Sequence, residues 1–535
     1  MELLPSAHVD TFCRDHLPPA DQWPELVFDL PELHYPDRLN CATALLETAR
    51  QDPDRPCLRQ PGAHTWTYAD LNGFANRVAR VLVDELGIVP GNRVLLRGPN
   101  NQWLTAAWFG ALKAGAVVVT TMALLRAGEL QTIDEIAHLD AALVDHRFLD
   151  GVPPELPTLA YGDEDWVGRM AKTTPEFDDV QTSSDDVAML AFTSGTTGRP
   201  KATMHFHRDV MAICDTFSRQ VLQPTADDVF IGTPPYGFTF GLGGDLLFPL
   251  YAGASTVLVE KATPLQLADL IDEHGVTICF TAPTAYKAMI HAERKLPTLR
   301  KGVSAGEHLP QATWEQFREL TGVRLIDGIG STEMLHIFVS AAGDDIRPGS
   351  TGRAVPGYQA CIVDVHGEPV PVGTPGRLAV KGPTGCRYLD DPRQQVYVQN
   401  GWNITGDTFA QDEDGYFWYH ARSDDMIISS GYNIAAPEVE EALLRHPRVA
   451  ECGVIGVPDE ARGSIVKAFV VLDSAGAEAD TAVPGVDGSV LVKELQDFVK
   501  QEIAPYKYPR AIEFVDELPR TATGKLQRFR LRTTD

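Results

Sequence analysis

"VAMLAFTSGTTGRPKA", residues 187–202, sets an apolar run against a loop made almost wholly of small hydroxyls and glycine, closed by a lone cation. Val187–Phe192 reads as a buried strand. Gly195 and Gly198 free the backbone to bring N–H groups close to a ligand. The hydroxyls of Thr193, Ser194, Thr196 and Thr197 can donate to phosphate oxygens, and Lys201 adds a point charge. The spacing is not that of the P-loop GxxxxGK[ST], because Gly198 is followed by Arg-Pro-Lys. The stretch predicts a strand that runs into a loop wrapping an oligophosphate.

The surroundings of that loop alternate strand and helix. From Tyr68 to Leu86, Leu71, Phe74, Ala75, Val78 and Leu82 recur at helical spacing, with Gly87 in the C-cap position. "RVLL" (93–96), "AVVVT" (116–120), "GASTVLVE" (253–260) and "VTICFTAP" (276–283) read as buried strands. "TAAWFGALKAG" (105–115) and "LQLADLIDEHG" (265–275) read as helices. This order favours mostly parallel sheets covered by helices. The Gly/Pro-rich stretch 343–376 and the strands "ACIVDV" and "GRLAVKG" suggest a smaller β-rich unit. After about residue 420, the helices "PEVEEALLRHP" (437–447) and "LVKELQDFVKQEI" (491–503) enclose the strands "ECGVIGV" and "KAFVVL", which reads as a compact α+β domain.

Bulk properties narrow the class. A chain of 535 residues exceeds one ordinary core, so two or more domains are expected. With 44% hydrophobic and 22% charged residues it has the composition of a soluble globular protein, and no apolar run is long enough to span a bilayer. "MELLPSAHVD" lacks the basic and apolar regions of a signal peptide. The eight cysteines are scattered without a CxxC pair, which predicts reduced thiols in a cytoplasm rather than a zinc site or disulfide framework. A formal charge of −27 argues against non-specific nucleic-acid binding. Anionic small ligands need only local cations, and Arg520, Lys525, Arg528, Arg530 and Arg532 cluster near the end.

Four further motifs follow the loop in order: "GIGSTE" (328–333), "TGD" (405–407), "ARSDDMIISSGYNIAAPEVE" (421–440) and "LPRTATGK" (518–525). With "TSGTTGRPK" they resemble the adenylate-forming superfamily of acyl-CoA synthetases, luciferases and non-ribosomal adenylation domains, from about Thr65 onward. The resemblance implies a large N-terminal domain of mixed sheets covered by helices with a β-rich subdomain (1–423), and a small mobile α+β C-terminal domain (424–535). It also implies ATP, Mg²⁺ and coenzyme A. Activating a carboxylate with ATP joins two anions, so the site must offset repulsion and stabilise an in-line displacement at the α-phosphorus.

The implied roles follow the motifs. Thr193, Ser194, Gly195, Thr196, Thr197, Gly198 and Lys201 would hold phosphates, and Thr332 would add a hydrogen bond. Glu333 would bind Mg²⁺, which favours one or two carboxylates plus phosphate and water. Gly306 and Glu307 of "SAGEH" (304–308), with Asp327, Gly328 and Ile329, would border the adenine. Asp407 would accept the ribose hydroxyls, and Arg422 would contact ribose or phosphate. Lys525 would stabilise the adenylation transition state. Asp424 would be the hinge, and Ser430, Gly431 and Tyr432 would border the coenzyme A path. Four positions depart from the family pattern: Ala202 and Ala421 replace glycine, Ile329 stands where tyrosine is frequent, and Ile428 where many members carry lysine.

"PPYGFTFGLGG" (234–244) and "STEMLHIF" (331–338) resemble the benzoate and 2-aminobenzoate CoA ligase branch. By that resemblance Phe238, Thr239, Phe240, Gly330, His336 and Ile337 line an acid pocket, with Phe238 as gate and with Thr239 and His336 near a ring substituent. "HFH" (205–207) has the look of a metal pair on one strand face, but no third ligand is evident. The expected reaction is ATP-dependent ligation of an aromatic acid to coenzyme A, with release of AMP and pyrophosphate, by a monomer or homodimer. A freestanding adenylation enzyme loading a carrier protein and a non-catalytic nucleotide sensor are the alternatives; intact Glu333, Lys525 and hinge motif argue against the second.

Overall fold

The computed structural model describes residues 3–193, 200–422, 426–429, 432–459, 463–473, 488–503, 505–520 and 526–532. Among them, one six-stranded sheet is built on Arg93–Arg97, with Val117–Thr121 and Ala141–Asp145 parallel on its two sides. Thr158–Tyr161 extends one edge in parallel. The other edge is an antiparallel hairpin, Val187–Thr193 against Lys201–Phe206, whose last pair is Thr193 opposite Lys201. The strand expected at 187–192 therefore delivers the chain straight into the phosphate-loop sequence.

A nine-stranded sheet faces this one across a shared apolar core. Its parallel strands include Val229–Gly232, Ile278–Thr281, Lys301–Ser304 and Leu325–Gly330. Ile337–Ser340 then returns antiparallel to Leu325–Gly330. The parallel strands are buried almost throughout, which is why they read as continuous apolar runs.

The helices follow local signals closely. Tyr68–Asp84 starts at a capping box, with the Thr67 side chain and the Asp70 carboxylate each accepting the other's backbone N–H. It ends at Asp84 with Glu85 as its C-cap, two residues ahead of Gly87, whose φ of +66° turns the chain. Gln102–Lys113 begins earlier than its apolar pattern suggests because the Asn101 side chain caps it. A Cβ on Gly110 would lie 2.6 Å from Val78 Cβ, so this glycine lets the two helices close on each other. Pro264–His274 stops at left-handed Gly275, as expected.

The β-rich unit is a five-stranded antiparallel sheet that includes Gln359–Val363, Gly376–Lys381, Trp402–Gln411 and Phe417–Arg422. The C-terminal part holds Val449–Asp459, Gly463–Leu472 and Ala511–Phe514 in a second small sheet. Helices Ala436–Leu444 and Gly488–Glu502 cover it, with Val439, Leu443, Leu495 and Val499 facing Val454 and Val470. It leans on the rest of the chain among the described residues. Helix Ala436–Leu444 lies against strand Phe417–Arg422, and Lys287 Nζ donates to the Ala450 carbonyl. No helix among the described residues is long and apolar enough to cross a membrane.

Candidate functional site

The hairpin that ends at Thr193 and restarts at Lys201 places the lysine over a second segment, 386–389, that runs beside it. Met204 N donates to the Arg387 carbonyl at 2.7 Å and Leu389 N to the Ala202 carbonyl at 2.9 Å. That pairing sets Tyr388 beside Lys201. Lys201 Nζ lies 2.5 Å from Tyr388 Oη, 4.4 Å from the centre of its ring and 3.5 Å from Glu333 Oε1. Tyr388 Oη in turn donates to Glu333 Oε1 at 2.5 Å. Burial, then the Glu333 charge, push the Tyr388 phenol far above its ordinary range, so it remains a donor. The carboxylate thus sits in a buried bracket of one cation and one hydroxyl.

Glu333 is presented by a tight turn. Met334 N donates to the Ser331 carbonyl and Leu335 N to the Thr332 carbonyl, each at 3.2 Å. Leu335 closes the turn at a φ of +69°, a region that an L-residue occupies at a cost and keeps only when its surroundings hold it there. Three outside contacts do so. Thr384 Oγ1 donates to the Met334 carbonyl at 2.8 Å, Ser331 Oγ meets Tyr397 Oη at 3.2 Å, and His205 Nε2 lies 2.8 Å from the Thr332 carbonyl.

The two sides of the turn carry the residues expected around an acid. Gly328 and Gly330 lie on strand Leu325–Gly330, Gly330 across from Ile337 and Gly328 across from Ser340. A Cβ on Gly330 would fall 2.6 Å from the His336 carbonyl, and one on Gly328 would fall 2.7 Å from the Ile337 side chain. Glycine at both positions is what lets the His336–Ile337 segment cross so close. His336 is buried in an aromatic box: Phe248 at 4.6 Å, Phe217 at 5.4 Å, Phe240 at 5.9 Å and Phe280 at 6.5 Å between ring centres. Burial drives its pKa down to about 3, so the ring is neutral. The Phe240 carbonyl opposes that shift without reaching hydrogen-bond geometry, and both ring nitrogens are left without a protein partner. Phe238 caps the short helical turn Thr239–Gly241, and Phe238, Thr239 and Phe240 are all half-buried.

Where the sequence motifs expect the nucleotide, Ser304 pairs with Asp327 across parallel strands, which brings Gly306 and Glu307 to the same end of the sheet as Asp327. Gly306 is exposed with a φ of +88°. Burial lifts the Asp327 carboxyl to about 8 against the opposing hydrogen bonds of Gly328 N–H and Thr351. Ile329 is half-buried against the main core. Asp407 and Arg422 are cross-strand partners. Thr193 Oγ1, Ser304 Oγ, Asp327 Oδ1 and Ser350 Oγ are buried without a protein partner. Buried polar atoms are nearly always satisfied, so unmatched hydrogen-bonding capacity gathered around one sheet end suits a polar ligand.

Ser194, Gly195, Thr196, Thr197, Gly198, Asp424, Ser430, Gly431 and Lys525 lie outside the described residues. Tyr432 starts strand Tyr432–Ala435 opposite Ser429. Among the described residues no group of three or more His, Cys, Asp or Glu could hold a metal ion. A cation at Glu333 would therefore share one carboxylate with phosphate oxygens and water. Mg²⁺ favours that donor set, and with Oε1 engaged by Tyr388 and Lys201, Oε2 is the ligand this geometry leaves. His205 and His207 are not a strand-face pair, since His207 opens helix His207–Ile213 and meets Cys41 Sγ at 3.1 Å. Tyr388, Tyr397, Phe217, Phe248 and Phe280 were missed by sequence reasoning, and His205 was noticed only as half of an apparent metal pair. "CRYL" (386–389) and the strand "ICFT" carry no spacing signal that points to a distant turn.

Comparison with known proteins agrees with this geometry. Residues 45–387 match the family of AMP-binding enzymes, and residues 438–525 match the AMP-binding enzyme C-terminal domain. The chain is 34% identical to benzoate–CoA ligase of Thauera aromatica, over 94% of this chain and 97% of that protein. The crystal structure of the anthranilate CoA ligase AuaEII with anthranoyl-AMP superposes with a TM-score of 0.87 at 33% identity, covering 94% of this chain and 98% of that one. A benzoate CoA ligase from Burkholderia xenovorans LB400 gives a TM-score of 0.81 at 31% identity, over 92% and 100%. These matches, running along nearly the whole chain from the N-terminal sheets to the C-terminal α+β part, establish that this protein belongs to the AMP-binding enzyme family as an AMP-forming acyl-CoA ligase.

Proposed function

We propose that the protein ligates an aromatic carboxylic acid, benzoate or 2-aminobenzoate, to coenzyme A through an acyl-adenylate. The observation that carries this reading is the neutral, aromatic-boxed His336 beside glycine-lined Gly328–Gly330, one turn away from Thr332 and Glu333. A flat apolar ring suits such walls, and a neutral imidazole with unmet nitrogens suits a ring substituent. The relatives named for benzoate and anthranilate support the same choice.

In the first step a carboxylate oxygen attacks the α-phosphorus of ATP, the bond to the bridging oxygen breaks, and pyrophosphate leaves. Thr193, Ser194, Gly195, Thr196, Thr197, Gly198, Lys201 and Thr332 hold the phosphates. Glu333, oriented by Tyr388, is the protein's ligand for Mg²⁺, which when bound neutralises phosphate charge. Gly306, Glu307, Asp327, Gly328 and Ile329 border the adenine, and Asp407 and Arg422 take the ribose. Lys525 stabilises the charge that builds on the phosphorus oxygens. In the second step the coenzyme A sulfur attacks the acyl carbon and AMP leaves, with Ser430, Gly431 and Tyr432 along the thiol's path. The chain divides at residues 423/424, and Asp424 is the pivot between the two steps. The expected assembly is a monomer or homodimer. The eight cysteines, all free thiols, fit a reducing cytoplasm.

The test is pyrophosphate release across benzoates and short- and medium-chain fatty acids, with coenzyme A or a holo-carrier protein as acceptor. Preference for aryl acids with coenzyme A is the expected result. Preference for aliphatic acids removes the aryl reading, and turnover only on the carrier moves the enzyme to a carrier-loading role.

A further inference from the structure

The "HFH" histidines hold no metal together, and the fold gives His205 another task. His205 lies on strand Lys201–Phe206 with no exposure, and its Nε2 is 2.8 Å from the carbonyl of Thr332, 127 residues away. A carbonyl only accepts, so Nε2 carries the hydrogen. The other ring nitrogen faces the Asp209 carboxylate at 3.8 Å. Asp209 is wholly buried, accepts the Phe206 N–H at 2.9 Å and is ion-paired with Arg387, which is also wholly buried. Burial alone would raise the Asp209 carboxyl; the Arg387 charge, with the imidazole of His205 close by, holds it below its ordinary value. Arg387 adjoins Tyr388, the residue that donates to Glu333. The strained turn at Leu335 thus has His205 on its backbone and Tyr388 on its carboxylate, both supported where segment 386–389 runs beside strand Lys201–Phe206.

We propose that His205, braced by Asp209 and Arg387, is a positioning residue that fixes the Thr332–Glu333 turn in the geometry needed by the phosphates and their cation. This rests on the reading of Thr332 and Glu333 given above. His205 touches no substrate; it acts by denying the turn its alternatives. Misplacement of a positioned group by about 1 Å is enough to cost on the order of 100-fold in rate.

The experiment compares His205→Leu, His205→Gln, His205→Asn and Glu333→Gln in the full chain. Adenylation is read by pyrophosphate exchange and thioester formation by supplying acyl-adenylate. Thermal unfolding and calorimetric affinity for ATP with and without Mg²⁺ are measured alongside. His205→Leu is expected to lower the adenylation kcat about 10–100-fold, to spare thioester formation and to narrow the affinity gap between Mg²⁺-ATP and metal-free ATP. His205→Gln, whose amide reaches as far as Nε2, should recover most of the loss, whereas the shorter His205→Asn should not. Should His205→Leu not fold, the Gln/Asn pair decides, and equal activity of those two overturns the proposal. So does a folded His205→Leu with parental adenylation, or an equal fall in both half-reactions. Retained Mg²⁺-dependent activity in Glu333→Gln overturns the site reading instead.

Discussion

Substituting Gly243 by alanine places one methyl group where the aromatic box has no room. Gly243 lies in the wide helical turn Leu242–Leu247, with negative φ, so the backbone accepts alanine and helix propensity alone would favour it by about 1 kcal/mol. The new Cβ, however, would fall 2.4 Å from His336 Cδ2, 2.6 Å from Nε2 and 3.0 Å from Phe248 Cζ. Restoring ordinary contact requires a relative movement of about 1 Å, and overpacking of this kind costs about 1–3 kcal/mol. The clash outweighs the propensity, so net destabilisation of up to about 2 kcal/mol is expected. Phe217, Phe240 and Phe280 close other sides of the imidazole, so the strain is passed on to the proposed acid pocket. The assay is pyrophosphate release with benzoate and 2-aminobenzoate at saturating ATP and coenzyme A, with thermal unfolding alongside. kcat/KM for both acids should fall about 10–100-fold, while KM for ATP stays near the parental value. Gly168→Ala is the control: its Cβ meets nothing within 4 Å in helix Glu164–Lys172, so it should leave kinetics alone and raise stability slightly. Parental acid kinetics in a folded Gly243→Ala variant would show that His336 does not shape the acid pocket.

Tyr388→Phe removes a hydroxyl shared between two charged groups, an interaction worth about 1.5–3 kcal/mol, but Lys201 and Glu333 at 3.5 Å can partly close the gap. Adenylation measured by pyrophosphate exchange should therefore drop about 10-fold, and an unchanged rate would make Tyr388 a bystander. His336 and His207 both have pKa values lowered by burial to about 3, so between pH 6.5 and 3 the unfolded chain binds protons that the fold refuses. Stability should fall as pH drops through that window, and unfolding against pH should show a shallower slope for His336→Met than for the parent. Thr67→Ala deletes the cap of helix Tyr68–Asp84 and should cost about 1 kcal/mol in denaturant unfolding without altering kcat; a change in kcat would mean the helix communicates with the site.

Much of the scaffold was legible in the chain because its causes are local. The apolar repeat through Leu71, Ala75, Val78 and Leu82 and the glycine after His274 each act within a few residues, and each appears in the structure where the sequence puts it. The strand ahead of the phosphate-loop stretch was legible for the same reason, whereas the return of Lys201–Phe206 against it as a hairpin was not read from the chain. Element ends were less so. Gln102–Lys113 starts at a side-chain cap outside its apolar pattern, and the strand expected over 253–260 keeps only Ser255–Val257 in register with its neighbours.

What only the tertiary structure decided is how the charged groups of the site are supported. Glu333 and Tyr388 lie 132 and 187 residues from Lys201 along the chain, and nothing in the spacing of "RYLDD" marks its tyrosine for the glutamate. They meet because segment 386–389 pairs with strand Lys201–Phe206, a contact chosen by backbone hydrogen bonds that any sequence can make. The same holds for His205 and for the rings around His336, which sit on a strand, three helical segments and a return hairpin. Local patterns record which face of an element is buried. They do not record what lies opposite that face, because that partner is selected by the packing of whole sheets and helices against one another.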